Sequence, residues 1–219
     1  MVHMKAPWFP QLDPLELATH GPVIPVIVLE HADDAVPMAR ALLAGGVRVL
    51  EVTLRTPAGL PAIAAIAHAL PEAIVGAGTV RSSADARAAR AAGARFAVSP
   101  GWSPRVAATC REIGLALLPG VASASEVMSV ADEGFRFLKF FPAAAAGGTA
   151  MLKAWAGPFA DIAFCPTGGI SATTAADYLA LANVEAVGGS WLTPPDALAA
   201  GDWLRITRLA EHAAALARR

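Results

Sequence analysis

The stretch RVLEVTLRT, Arg48–Thr56, alternates strictly. Glu51, Thr53 and Arg55 fall on one face of a strand, and Leu50, Val52 and Leu54 on the other. An alanine-rich segment closing on Gly45 precedes it, and PAGLPAIAAIAHAL follows, so the unit reads helix–strand–helix. The same rhythm runs outward in both directions. Seven further β-rich runs are VIPVIVL (Val23–Leu29), AIVGAGT (Ala73–Thr79), RFAVSP (Arg95–Pro100), LALLPG (Leu115–Gly120), RFLKFFP (Arg136–Pro142), DIAFCPTGG (Asp161–Gly169) and VEAVGGS (Val184–Ser190). Helical segments lie between them: Asp33–Ala44, Pro57–Leu70, Ser83–Ala92, Ser103–Ile113, Ser123–Ala131 and Ala172–Leu181. Ser83, Ser123 and Ser171 stand where capping residues belong, and Gly45, Gly93 and Gly114 where helices end.

Eight strand–helix units without a long linker predict an α/β chain whose parallel sheet closes into a (β/α)8 TIM barrel, with residues 1–219 forming one domain. DPLELATHG, before the first strand, reads as a short extra N-terminal helix that plugs the bottom of the barrel. Asp13 is its expected cap and Pro14 and Glu16 its first turn. An open doubly wound sheet is the alternative. The segment after the first strand is EHADD, however, which cannot cradle a pyrophosphate as a glycine-rich turn does.

Of the 219 residues 55% are hydrophobic and 16% charged, with a formal net charge of -1. That balance, with no basic block, argues against nucleic acid or an anionic membrane surface as a partner. The mean hydropathy of +0.50 reflects alanine. The longest apolar runs fall far short of the roughly 20 residues of a membrane span. MVHMKAPWFPQLDP has no apolar leader core, and Cys110 and Cys165 have no redox or metal spacing, so a cytoplasmic setting is expected. The five histidines form no cluster, so no metal is expected.

In a barrel the chemistry sits where the strands end, and inward positions alternate. The trio Glu51, Thr53 and Arg55 should therefore point inward, with Arg55 nearest the top. In GFRFLKFFPA, Gly134–Ala143, one of only three lysines is set among phenylalanines. If Phe137, Lys139 and Phe141 face inward, Lys139 shares a cavity with Glu51, and Arg55 is the expected neighbouring cation. Desolvation disfavours an ammonium and leaves an amine that attacks carbonyls. A surface lysine with a snorkelling stem is the bland alternative. Paired glycines in PTGGIS (Pro166–Ser171) and GGSW (Gly188–Trp191) can offer backbone N–H groups to an anion, with Ser190 adding a hydroxyl and the following helices their positive ends. Thr79 can bind a carboxylate or cap the next helix. SPG and LPG are equally consistent with turn chemistry.

These segments closely resemble the bacterial 2-keto-3-deoxy-6-phosphogluconate aldolases, from GPVIPVIV to GDWLRITRLA. VLEVTLRT, KFFPA and FCPTGGIS are together the specific ones. The resemblance implies a class I aldolase without cofactor. It would cleave 2-dehydro-3-deoxy-6-phosphogluconate to pyruvate and glyceraldehyde 3-phosphate, the aldol step of the Entner–Doudoroff pathway, and also cleave 4-hydroxy-2-oxoglutarate, as a homotrimer. It assigns Lys139 to the Schiff base and Glu51 to proton transfer. Arg55 and Thr79 would hold the pyruvate end, Pro100 and Phe141 line the pocket, and Thr167 influence stereochemistry. Gly168, Gly169 and Ser190 would hold phosphate. The sequence departs from the family after KFFPA, where AAAGG replaces polar residues. Alternatives are an aldolase for the 4-epimeric phosphogalactonate, a sugar-phosphate isomerase or epimerase with Glu51 as base, and a non-catalytic phosphate-binding protein.

Overall fold

A computed structural model describes residues 13–217. The N-terminal segment in which no leader core was read, with His3 and Lys5, lies largely outside the described residues. From Glu16 the order is α1 (Glu16–Thr19), β1 (Val23–Ile27), a 3-10 turn (Ala32–Asp34), α2 (Ala35–Ala44), β2 (Val49–Thr53), α3 (Gly59–Ala69), β3 (Ile74–Gly78) and α4 (Ser83–Ala91). Next come β4 (Phe96–Val98), α5 (Pro104–Glu112), β5 (Ala116–Leu118), β6 (Gly120–Val121), α6 (Ala124–Asp132), β7 (Phe137–Phe140) and α7 (Gly148–Trp155). The chain then runs through β8 (Ala163–Pro166), α8 (Ala175–Leu179), β9 (Val187–Gly189), α9 (Pro195–Ala200) and α10 (Trp203–Ala214).

All ladders are parallel. One sheet runs β5-β4-β3-β2-β1-β9 and the other β6-β7-β8. The fifth expected strand is thus two pieces, β5 and β6, because Pro119 has no N–H to give the ladder. Its carbonyl still accepts from Lys139 N–H at 2.8 Å. At the other end, single bridges Phe164↔Val184 and Thr167↔Gly188 link β8 to the β9 segment. The fold is α/β with a parallel sheet curved into a half-barrel. Curvature follows from one apolar cluster that joins Ile24, Val49, Ile74, Phe96, Ala116, Phe137 and Cys165. These residues come from seven different strands, so their faces must turn toward a common centre. A larger cluster on the other face packs the sheet against its helices.

Local starts and stops differ in detail from the sequence reading. Ser82, not Ser83, caps α4 by accepting from Asp85 N–H. Ser123 forms a capping box with Glu126 on α6. Ser171 caps nothing: α8 begins only at Ala175, and the Ser171 hydroxyl pairs with Thr173 and Thr174. The N-terminal turn opens with Asp13 accepting from Leu15 N–H, and helix α1 proper has just four residues. Its Leu17 and Ala18 are buried against the inner cluster. Among the described residues no helix is long and apolar enough to cross a membrane.

Candidate active site

β2 and β7 carry the centre of the site. Glu51 and Lys139, 88 residues apart in sequence, meet with Lys139 Nζ donating to Glu51 Oε1 at 3.2 Å. Their side chains are 3% and 4% exposed. The strand period explains why they meet. Val49 and Phe137 lie in the inner apolar cluster, and two residues on, the same faces present Glu51 and Lys139. The carboxylate has room because β3 offers Gly78 beside it. A Cβ there would overlap Glu51 Oε1 and stand 2.7 Å from its Cγ. A buried ion pair of this kind is weak as a stabiliser, since desolvation offsets most of the Coulomb gain. It does put an amine and a carboxylate in contact away from water.

Phe141, Pro100 and Thr167 sit on or beside the strands that flank the pair. The Phe141 ring lies 5.3 Å from Lys139 Nζ, ahead of a cis peptide to Pro142. Pro100 ends the β4 run, and its carbonyl comes so close to Gly120 that a Cβ there would stand 2.5 Å away. Thr167 is buried, donates to the Cys165 carbonyl at 3.3 Å, and lies over Gly188, whose absent side chain leaves it that space. Cys165 pairs with Lys139 across β7 and β8. Burial pushes its thiol up to about 12, only partly offset by the Lys139 charge, so it is a neutral thiol at pH 7. Cys110 is likewise raised to about 11 by burial.

Arg55 stands past the top end of β2, as its place in the alternation predicts, but it is exposed. β2 ends at Thr53, and at the rim Arg55 Nε donates to Thr79 Oγ1 at 3.1 Å. Thr79 has a φ of 61°, a left-handed conformation costly for a β-branched residue. That conformation directs its hydroxyl to Arg55. The cationic rim group thus stands outside the apolar floor, and the group touching Lys139 is a carboxylate.

Gly168 and Gly169 have φ values of 99° and 74° and turn the chain after β8. Ser190 is exposed after β9. The N–H groups of Gly169 and Ser190 have no acceptor among the hydrogen bonds of the described residues. The expected helix dipoles are not placed behind them. α8 starts five residues beyond Ile170 and is five residues long, and α9 starts at Pro194-Pro195, which offer no N–H. Any anion held here would rest on loop N–H groups and the Ser190 hydroxyl. Among the described residues no three His, Cys, Asp or Glu side chains group as metal ligands.

The family model described as "Aldolase: KDPG and KHG aldolase" matches residues 16–209. The chain belongs to the KDPG and KHG aldolase family. The 2-dehydro-3-deoxy-phosphogluconate aldolase of Pseudoalteromonas atlantica is 54% identical over 200 residues, 91% of this chain and 93% of that one. The KHG/KDPG aldolase of Escherichia coli K12 is 54% identical over 197 residues, 90% of this chain and 92% of its own. The crystal structure of the Legionella pneumophila KDPG aldolase, with pyruvate captured at low pH as a covalent carbinolamine intermediate, superposes with a TM-score of 0.91 at 45% identity, covering 93% of this chain and 99% of that chain. Within this family frame, sequence reasoning missed two features. The space that Gly78 leaves for Glu51 is visible only across strands. The exposure of Arg55 depends on where β2 stops.

Proposed function

We propose that this aldolase-family chain cleaves 2-dehydro-3-deoxy-6-phosphogluconate to pyruvate and glyceraldehyde 3-phosphate, and 4-hydroxy-2-oxoglutarate to pyruvate and glyoxylate, through an imine on Lys139. The observation that carries this reading is the buried 3.2 Å contact between Lys139 Nζ and Glu51 Oε1. Glu51 accepts a proton from the ammonium, and the amine lone pair attacks the substrate C2. The attacking nitrogen and the protonated Glu51 each pass one proton to the keto oxygen, which leaves as water, giving an iminium and returning Glu51 to a carboxylate. Glu51 then takes the proton of the 4-hydroxyl. The C3–C4 bonding pair moves into the iminium, and the aldehyde departs. Glu51 returns its proton to C3 of the enamine, and water releases pyruvate from the lysine. A positioned acid–base group of this kind is worth about 10²–10⁴-fold.

The remaining residues take roles consistent with their positions. Arg55 and Thr79 hold the carboxylate of the keto acid at the rim, Phe141 and Pro100 keep water from the imine, and Thr167 faces the aldehyde portion. Gly168, Gly169 and Ser190 receive the phosphate. The two sheets act as arcs of one (β/α)8 barrel, with α1 as the extra helix under its floor. Support comes from the Pro119 carbonyl bridging β5 to β7 and from the two bridges between β8 and the β9 segment. The chain works as one domain, cytoplasmic, and by family resemblance as a homotrimer.

The test is pyruvate with borohydride followed by peptide mass spectrometry. A reduced adduct on the FLKFFPA peptide is expected. No adduct overturns the reading and favours a barrel isomerase using Glu51 alone; an adduct on the Lys153 peptide overturns the assignment to Lys139.

A further inference from the structure

Thr53 is the one member of the polar face of β2 that the mechanism leaves unused. It is 1% exposed, and its Oγ1 is one of two buried side-chain polar atoms without a hydrogen-bond partner among the described residues. The other, Asn183 Oδ1, belongs to a side chain whose amide nitrogen is anchored on the Leu152 carbonyl. A buried hydroxyl with no partner costs stability, and a valine of the same shape would avoid that cost. The resting structure gives Thr53 no compensation.

Its surroundings show where compensation can arise. Thr53 lies two residues beyond Glu51 on the same face of β2 and pairs with Gly78 on β3. Glu51 leans toward that same glycine, its Oε1 filling the volume a Gly78 side chain would take. The Glu51 carboxylate and Thr53 thus both border the space at Gly78, and in the resting structure the carboxylate's partner is Lys139. When Lys139 becomes an imine, Glu51 has to leave that contact to reach the 4-hydroxyl and C3.

Resting on the proposed role of Glu51, we infer that Thr53 is a positioning residue whose hydroxyl donates to the Glu51 carboxylate once Lys139 is bound to substrate. It holds the base aimed at the carbon–carbon bond during cleavage. Its partner exists only along the reaction, which explains why the resting hydroxyl has none.

The experiment compares Thr53→Val, Thr53→Ser, Glu51→Gln and the Glu51→Gln/Thr53→Val double variant in the full chain. Each is measured for Tm, for borohydride trapping of pyruvate, and for kcat and KM. Thr53→Val should keep or raise Tm and trap pyruvate fully. Its kcat should fall roughly tenfold, the worth of one hydrogen bond to a charged group, with KM little changed. Thr53→Ser should restore most of the loss, and the double variant should be no slower than Glu51→Gln. A wild-type kcat in Thr53→Val, a lowered Tm or failure to fold, or no rescue by serine overturns the inference. Wild-type cleavage by Glu51→Gln would instead remove the reading of Glu51 itself, a separate and visible failure.

Discussion

Val49 and Glu51 occupy the same face of the same strand, one pleat apart, as do Phe137 and Lys139. The lower pair lies in an apolar cluster with Ile24, Ile74 and Phe96, and the upper pair forms an enclosed ion pair. The lower layer gains free energy from every atom removed from water. The upper layer spends it on desolvated charge, an orphan hydroxyl at Thr53 and a left-handed threonine at Thr79. The two layers share strands, so the apolar floor sets the strand geometry that holds the costly groups in place. Floor and rim should then respond differently to substitution.

Lys139→Met should have the largest effect. Turnover and pyruvate trapping should both vanish, and urea denaturation should show a loss of about 3–5 kcal/mol, because Glu51 is left as a buried charge without its partner. Residual imine formation would show that another amine reaches the site. Ile74→Ala, in the floor, should lose about 2–5 kcal/mol of stability. Its kcat, measured well below the melting midpoint, should stay near wild type; a matching fall in kcat would erase the division between the layers. Gly78→Ala tests the boundary. The new methyl meets the Glu51 carboxylate, so overpacking should cost about 1–3 kcal/mol. Displacement of the base should lower kcat by up to about 10²-fold, and an unchanged kcat would mean Glu51 acts from elsewhere. Ser190→Ala, on the outer rim, should be mildest. KM for the phosphorylated substrate should rise by roughly tenfold at most while 4-hydroxy-2-oxoglutarate is unaffected; equal shifts for both would remove Ser190 from phosphate binding. Gly169 is a poor site for that test, because a Cβ there would stand 2.6 Å from Ala144 Cβ.

The repeat of strand and helix made the parallel order legible, and a period of two grouped Glu51 with Thr53 and Lys139 with Phe137; that Glu51 meets Lys139 followed only on the barrel's condition that both faces turn inward. Ends of elements were harder to read. Ser82 and Ser83 are adjacent and chemically alike, so sequence could not say which accepts from Asp85 N–H. α7 and α9 have eight and six residues, too short for a helical period to stand out from loop. Pro119 breaks the fifth strand although its flanks look continuous. Arg55 alternates with Thr53 and was expected inside. The ladder ends before it, and beyond that point the period no longer dictates direction.

On the inner face, several glycines serve by what they lack. Gly76 yields its volume to the Phe96 ring, Gly78 to Glu51, Gly120 to the backbone at Ser99 and Pro100, and Gly188 to Thr167. None of the four supplies a side-chain functional atom. In a saturation mutagenesis map these positions should appear as intolerant as Lys139 itself. The outline of residues that resist change will be wider than the footprint of the substrate, and drawing the site from intolerance alone would mistake borrowed space for contact.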